Sequence, residues 1–256
     1  MTEQAPDPGP WFRRFHPAPG GDLRLVCFPH AGGSASFYFP VSAALAPRME
    51  VLGVQYPGRQ DRRSEPPVGD LHALADGIAA ALAPLDDRRL AFFGHSMGAI
   101  LAYEVGLRLE RAGRHRLTHV FASGRRAPSR YRDESVHLRD DAGILAELRQ
   151  LEGTDSRLLT DPELQQMFLP VIRNDYRAVE TYRHRPGPVL QCPVTVLTGD
   201  SDAMTSMDEA RAWSAHTTGR MDLRVFPGGH FYLVRQATRV IDLLAEELVP
   251  AVRLPG

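Results

Sequence analysis

At 256 residues, with 43% hydrophobic and 24% charged content, the chain has the make-up of one ordinary globular domain of fair size. A net charge of -1 gives no ground for a nucleic acid or other polyanionic partner. Two cysteines are too few for a disulfide scaffold, and no run reaches the ~18 apolar residues of a membrane span.

Residues 1–10 are polar and proline-rich and read as a loose tail without the apolar core of a signal peptide, so a cytoplasmic location is expected. "WFRRFHP" (11–17) suits an edge strand. Continuous apolar runs then recur: "RLVCF" (24–28), "VLGVQY" (51–56), "LAFFG" (90–94), "THVFASG" (118–124), "PVTVLTG" (193–199) and "LRVFPG" (223–228). Runs without alternation suit strands buried on both faces of a parallel sheet. Cys27 and Cys192 sit in or against two of these runs and read as small buried apolar side chains.

Between the strands, "DLHALADGIAAALAPL" (70–85) has helical spacing with Asp70 as N-cap, and "MGAILAYEVGLRLERAG" (97–113) closes on Gly113. "TSMDEARAWSAHT" (205–217) and "FYLVRQATRVIDLLAEEL" (231–248) are also helical. The alternation predicts an α/β fold, a mostly parallel central sheet flanked by helices. One interval breaks it. From Arg125 to Cys192 no core strand is expected, over about twice the roughly 30 residues of a βαβ unit. "DDAGILAELRQL" and "DPELQQMFLPVIRNDYRAVETY" are helical there, with Pro162 in a first turn and Pro170 placed for a kink or break. The division expected is a core of 11–124 and 193–256 with a helical lid insertion, 125–192, over the carboxyl ends of the strands.

Gly94-His95-Ser96-Met97-Gly98 fits G-x-S-x-G and lies where a buried strand passes into a helix. Flanking side chains would collide with strand and helix on so sharp a turn, and glycine relieves the crowding. The turn presents the Ser96 hydroxyl and places the Met97 N–H near a helix N-terminus, where it can donate to an oxyanion. A serine nucleophile needs a base and an orienting carboxylate, in the order serine, acid, histidine for such a fold. His230, in "PGGH", is the base candidate. Asp202 and Asp200 both follow the strand 193–199; Asp202 is placed to turn back on His230, and Asp200 to cap backbone N–H groups. His30 and His95 suit packing or hydrogen bonding, while His16, His72, His115, His119, His137, His184 and His216 read as surface or lid residues. "FPHAGGSASFY" (28–38) offers the second oxyanion donor, with Ala31 the candidate. It lacks the G-x-x-x-x-G-K-[ST] phosphate-loop spacing, and no metal-binding motif occurs.

Together "FPHAGGSASF", "YPGRQDR", "GHSMGA", "LPVIRNDYRAVETY", "TGDSDAMTS" and "FPGGHFYL" resemble the type II thioesterases, α/β-hydrolases that serve polyketide synthases and nonribosomal peptide synthetases. The similarity runs from about residue 11 to 248. It implies Ser96 as nucleophile, His230 as base, Asp202 as acid, and Ala31 and Met97 as oxyanion donors. The implied reaction is hydrolysis of acyl thioesters on the phosphopantetheine arm of acyl or peptidyl carrier proteins, clearing stalled acyl groups. It implies no bound cofactor, carrier proteins as partners, and a flexible helical lid. A monomer is expected. Arg59, with Arg62 and Arg63, is a candidate for the arm's phosphate or an acidic carrier, against a plain solvated loop. Met167, Phe168 and Tyr176 either shape an acyl pocket or form the lid's own core. A carboxylesterase or acyltransferase of the same fold is the alternative activity, and a non-catalytic binder the third reading.

Overall fold

The apolar runs pair into one sheet in the computed structural model, which describes residues 8–18, 20–113, 116–151 and 156–248. Residues 1–7 of the expected tail and His115 lie outside them. Among the described residues the strands are β1 (Phe12–Arg14), β2 (Leu23–Phe28), β3 (Glu50–Val54), β4 (Arg89–His95), β5 (Leu117–Ser123), β6 (Val194–Gly199) and β7 (Met221–Phe226). Their order is β1-β3-β2-β4-β5-β6-β7, with β1 antiparallel on β3 and every other pair parallel. The register sets Phe28 beside Gly94, His95 beside Ser123, and Gly199 beside Phe226. The carboxyl ends of six neighbouring strands, β2 to β7, therefore finish along one rim, where open α/β sheets bind ligands.

Helices α1 (Phe39–Leu45), α2 (Leu71–Leu82), α3 (Met97–Ala112), α4 (Asp141–Leu151), α5 (Ser156–Thr160), α6 (Pro162–Glu180), α7 (Met207–Arg211), α8 (Tyr232–Arg235) and α9 (Ala237–Leu248) complete the chain. Alternation along β2 divides the core. Val26 and Phe28 face α2 and α3 with Leu74, Ile78, Leu101 and Val105, whereas Leu25 and Cys27 face α1 and α9 with Leu45 and Leu244. Both cysteines are free and buried. Burial pushes the Cys27 thiol up and carries Cys192 to about 12, so neither is a thiolate near neutral pH. The run expected at 223–228 gives β7, which ends at Phe226 and forms an edge of the sheet, with Val225 47% exposed.

Helix ends follow the local chemistry. Asp70 accepts the Ala73 N–H at 2.7 Å, and Gly113, at φ 64°, takes the left-handed turn that closes α3. The run at 205–217 gives the short α7, opened by a Ser206–Glu209 capping box, then a 3-10 turn. The run 231–248 divides at Gln236 into α8 and α9. The helix α6 continues through Pro170 rather than breaking there. Pro170 is exposed, and at such a position water can take the carbonyl that loses its N–H partner.

Between β5 and β6 the described residues hold α4, α5 and α6, which carry their own small core of Val136, Ile144, Leu148, Leu169, Ile172 and Tyr176. The α6 helix reaches back to the rim. A Cβ on Gly32, in the loop after β2, would lie 2.6 Å from the Ile172 side chain.

Candidate active site

The turn between β4 and α3 is bent as the sequence requires. Ser96 has φ 55° and ψ -117°, a conformation few residues other than glycine adopt. Its N–H donates to the Ser123 carbonyl at 2.8 Å, and its own carbonyl accepts the Ala99 N–H at 3.0 Å. A Cβ on Gly94 would sit 2.1 Å from the Gly98 oxygen, and one on Gly98 would sit 2.0 Å from the Phe28 oxygen. Both glycines are demanded by backbone, which no rotamer change relieves. Strain of this kind costs about 1–3 kcal/mol and marks functional sites.

Two loops from the same rim meet beside this turn. Asp202 follows β6 and His230 follows β7; both are buried, and His230 Nδ1 lies 3.1 Å from each Asp202 carboxylate oxygen. A carboxylate only accepts, so Nδ1 carries the proton and Nε2 is the free basic nitrogen. Met204 N–H donates to Asp202 Oδ1 at 2.8 Å and holds the carboxylate in place. Asp200 does other work. Its Oδ1 accepts the Gly228 N–H at 3.0 Å, tying the two loops together from the exposed side. The ring of His95, the residue before Ser96, lies 5.0 Å from the His230 ring. The Ser96 hydroxyl makes no hydrogen bond with a described residue, His230 included. Such bonds tighten when substrate fills a site.

The remaining histidines divide by burial. His95 is fully buried, with Nδ1 2.9 Å from Ser123 Oγ, which is in turn 2.7 Å from the Tyr232 hydroxyl. Burial, with His230 and His30 nearby, holds its pKa well below the ordinary value. Burial, then His230 and Arg59, pushes His30 down to about 3. Both stay neutral and leave His230 as the base. His119 and His216 correct the surface reading: they are buried, His119 on Thr195 Oγ1 at 2.9 Å and His216 on Ser129 Oγ at 2.8 Å.

The loop after β2 contributes backbone donors. Gly33 N–H is used by the His30 carbonyl at 2.9 Å and Gly32 N–H by Asp175 Oδ2 at 2.8 Å. Ala31 N–H has no acceptor among the described residues. Met97 opens α3, where N–H groups lack an intrahelical acceptor.

Arg59 is where the sequence reading needs correction. It is neither on a solvated loop nor free for a phosphate. It is 8% exposed and donates to both oxygens of Asp175 on α6, at 2.7 and 2.9 Å, and to the Gly33 carbonyl at 3.0 Å. Arg62 is likewise buried, on Glu65 and the Gln55 carbonyl and over the Trp11 ring. Asp175, which sequence reasoning did not single out, thus clamps α6 to the loop that holds Ala31. Removing one partner leaves the other charge buried and unpaired, so Asp175→Ala is expected to cost about 3–5 kcal/mol. Urea unfolding of the variant against the native chain measures it.

The three α6 candidates are also reassigned. Met167 is 67% exposed, while Tyr176 is buried and Phe168 half-buried in the core of α4 and α6, and none is on the wall of the cavity at His230. The cavity that does reach His230, about 410 Å³, is lined by Met204, Phe231 and Tyr232 with Gln150 and Leu151 of α4.

Comparison with known proteins decides the family. A family model described as a thioesterase domain matches residues 23–248. The chain belongs to the thioesterase family.

This thioesterase is 49% identical over 244 residues to thioesterase PikA5 of Streptomyces venezuelae, covering 95% of this chain and 87% of the relative. It is 56% identical over 240 residues to a probable cadicidin biosynthesis thioesterase of Streptomyces griseus. That alignment covers 94% of this chain and spans 66% of the longer relative. Among solved structures, the type II thioesterase BorB from the borrelidin biosynthetic cluster superposes with a TM-score of 0.89 at 51% identity, covering 96% of this chain and all of that one. The mostly parallel sheet with flanking helices is that of the α/β-hydrolase type, and the enzyme is a thioester hydrolase.

Among the described residues, no group of three or more His, Cys, Asp or Glu side chains is placed to hold a metal ion, and no helix is long and apolar enough to cross a membrane. The buried histidines set a pH dependence of stability. His30, His95, His119 and His216 (the last at about 4) all have folded pKa values below 6.5. The unfolded chain therefore binds protons first, and stability present above pH ~6.5 is lost as pH falls towards 4. Each such group adds a slope of about 1.4 kcal/mol per pH unit. The urea midpoint of the thioesterase is expected to be lower at pH 5 than at pH 7.5.

Proposed function

We propose that this thioesterase hydrolyses acyl thioesters on the phosphopantetheine arm of acyl or peptidyl carrier proteins, freeing a polyketide or nonribosomal peptide assembly line from stalled acyl groups. It acts in the cytoplasm, as a monomer and without a bound cofactor. The observation that carries this reading is the buried Asp202–His230 pair held on the same rim as a strained Ser96. The naming of BorB as a type II thioesterase from a biosynthetic cluster supports the substrate class.

The residues suggest each step. His230 Nε2 takes the Ser96 proton as Oγ attacks the thioester carbonyl. Ala31 and Met97 N–H groups receive the oxyanion, a contribution worth about 10²–10³ in rate per donor. Asp202 stabilises the imidazolium through Nδ1. The C–S bond breaks, His230 protonates the leaving thiolate, and the acyl group remains on Ser96. Water, deprotonated by the same histidine, attacks the serine ester; the acid leaves and Ser96 regains its proton. The helices α4 to α6 act as a lid that excludes bulk water, tethered through Asp175 to Arg59 and Gly32.

Rates on an acyl-pantetheine and on its matched oxygen ester test the reading. Preference for the thioester is expected. Strong preference for the oxygen ester favours a carboxylesterase, and transfer of the acyl group to an added alcohol or amine favours an acyltransferase.

A further inference from the structure

One buried cation near this rim makes no ion pair with a described residue. Arg125 follows Gly124, where a Cβ would lie 2.5 Å from the His95 ring and 3.4 Å from that of His230. Arg125 is 6% exposed. Its carbonyl accepts the Trp213 indole N–H at 2.8 Å, which fixes the backbone. Its guanidinium makes no hydrogen bond or ion pair with a described residue, and Nε is buried without a partner. Burial and Arg126 push Arg125 down to about 9, with a partial offset from Glu134 and Glu180, which leaves a cation at neutral pH. Keeping a charge buried and unpaired is costly, and a protein gains nothing by it unless an anion arrives.

Arg125 lines a cavity of about 290 Å³ whose walls include Ile100, Val179 and Tyr182. Of the other arginines on this wall, Arg130 is exposed to solvent, and Arg126 and Arg183 have partners. Arg126 is paired with Glu134, and Arg183 donates to the Tyr131 hydroxyl and to the Glu180 and Tyr182 carbonyls. Glu180, also on the wall, is held by the Val136 and His137 N–H groups and the His137 ring. Among the arginines on this wall, Arg125 is the one that is buried and has no ion-pair partner among the described residues.

Position suggests what fills it. Ile100 lies on α3 four residues beyond Ser96, about 6 Å along the helix axis. Ile100 packs on the α2–α3 face of the sheet, whereas Tyr232, in the cavity that reaches His230, packs on the α1–α9 face. Ser96 opens the helix that carries Ile100, and the ring of its neighbour His95 lies 5.0 Å from that of His230. His230 must protonate the leaving sulfur, so the arm lies on the His230 side and the acyl chain points the other way.

We propose that this cavity is an anion subsite for the acyl group, in which Arg125 receives a carboxylate at the far end of the chain. It rests on the acyl-thioester reading above. The favoured substrates are then half-thioesters of dicarboxylic acids, with a few methylenes between thioester and carboxylate. The phosphate of the arm is the other source of an anion, but it travels with the leaving thiol on the His230 side.

The test compares adipyl-pantetheine with hexanoyl-pantetheine on the native enzyme, Arg125→Met and Arg125→Lys. The ratio of their kcat/KM values is expected to fall about 10- to 100-fold in Arg125→Met and to recover in part in Arg125→Lys. A purely structural role lowers both rates together, and an unchanged ratio overturns the proposal. A loss confined to the 4′-phosphorylated form of hexanoyl-pantetheine also overturns it and assigns the cation to the arm. Calorimetric binding of adipyl-pantetheine to Ser96→Ala, with and without Arg125→Met, reads the subsite without turnover: weaker binding in the double variant supports it, equal binding overturns it. If the native enzyme hydrolyses neither thioester, the acyl-thioester reading fails while this binding comparison still decides the subsite. Arg125→Met is expected to melt no lower than the native protein, because it removes an uncompensated charge.

Discussion

Ser96→Ala is expected to lower turnover of an acyl-pantetheine by about 10⁴- to 10⁶-fold, the scale seen when the nucleophile of a serine triad is removed. The fold should survive. The Ser96 hydroxyl bonds to no described residue, and alanine tolerates φ 55° about as poorly as serine does, so the strain is not made worse. Stability within about 1 kcal/mol of the native chain, measured by urea unfolding, separates loss of the nucleophile from loss of the fold. A fluorophosphonate should label the native enzyme and leave Ser96→Ala unlabelled. Equal labelling of both would place the reactive serine elsewhere.

Asp202→Asn is expected to cost about 10⁴-fold in kcat with little change in KM. The amide can donate where the carboxylate only accepts, so it allows the tautomer with the proton on His230 Nε2, which cannot take the serine proton. The geometry survives while the base is lost. Asp200→Asn is the internal control. Asp200 is exposed, and its Oδ1 accepts the Gly228 N–H, a role an amide oxygen can keep. Its activity should stay within a few-fold of native. A reversal of the two effects would show that the acid had been misassigned.

The sheet and the turn at Ser96 were legible because each rests on local chemistry. Buried strands write themselves as apolar runs, and the turn needs glycine on both sides for a reason visible in five residues. The order Asp202 then His230 was legible because each follows a late strand. What escaped the sequence depends on partners far along the chain. Nothing in "YPGRQDR" tells that Arg59 turns inward, because its carboxylate, Asp175, lies 116 residues away in sequence. Helix α1, at "FPVSAAL", is not among the helices predicted from periodicity, and its burial against α9 and β3 supplies what local propensity does not. His119 and His216 lie away from the motif loops in sequence, which gives a surface or lid reading; their hydrogen-bonding hydroxyls, on Thr195 and Ser129, come from other elements. Arg125 is the clearest case. In sequence it is one of two adjacent arginines, and only the fold separates the one that finds a carboxylate from the one that does not.

The most direct test of the mechanism is to look for the acyl group on Ser96. The enzyme is mixed with an acyl-carrier protein, quenched in acid within one turnover, and digested at arginine, which isolates the serine in peptide 90–108. The expected result is that peptide heavier by the mass of the acyl group, transiently in the native enzyme and never in Ser96→Ala. Turnover of the acyl-carrier at the native rate with no such adduct, or continued turnover in Ser96→Ala, would contradict the account.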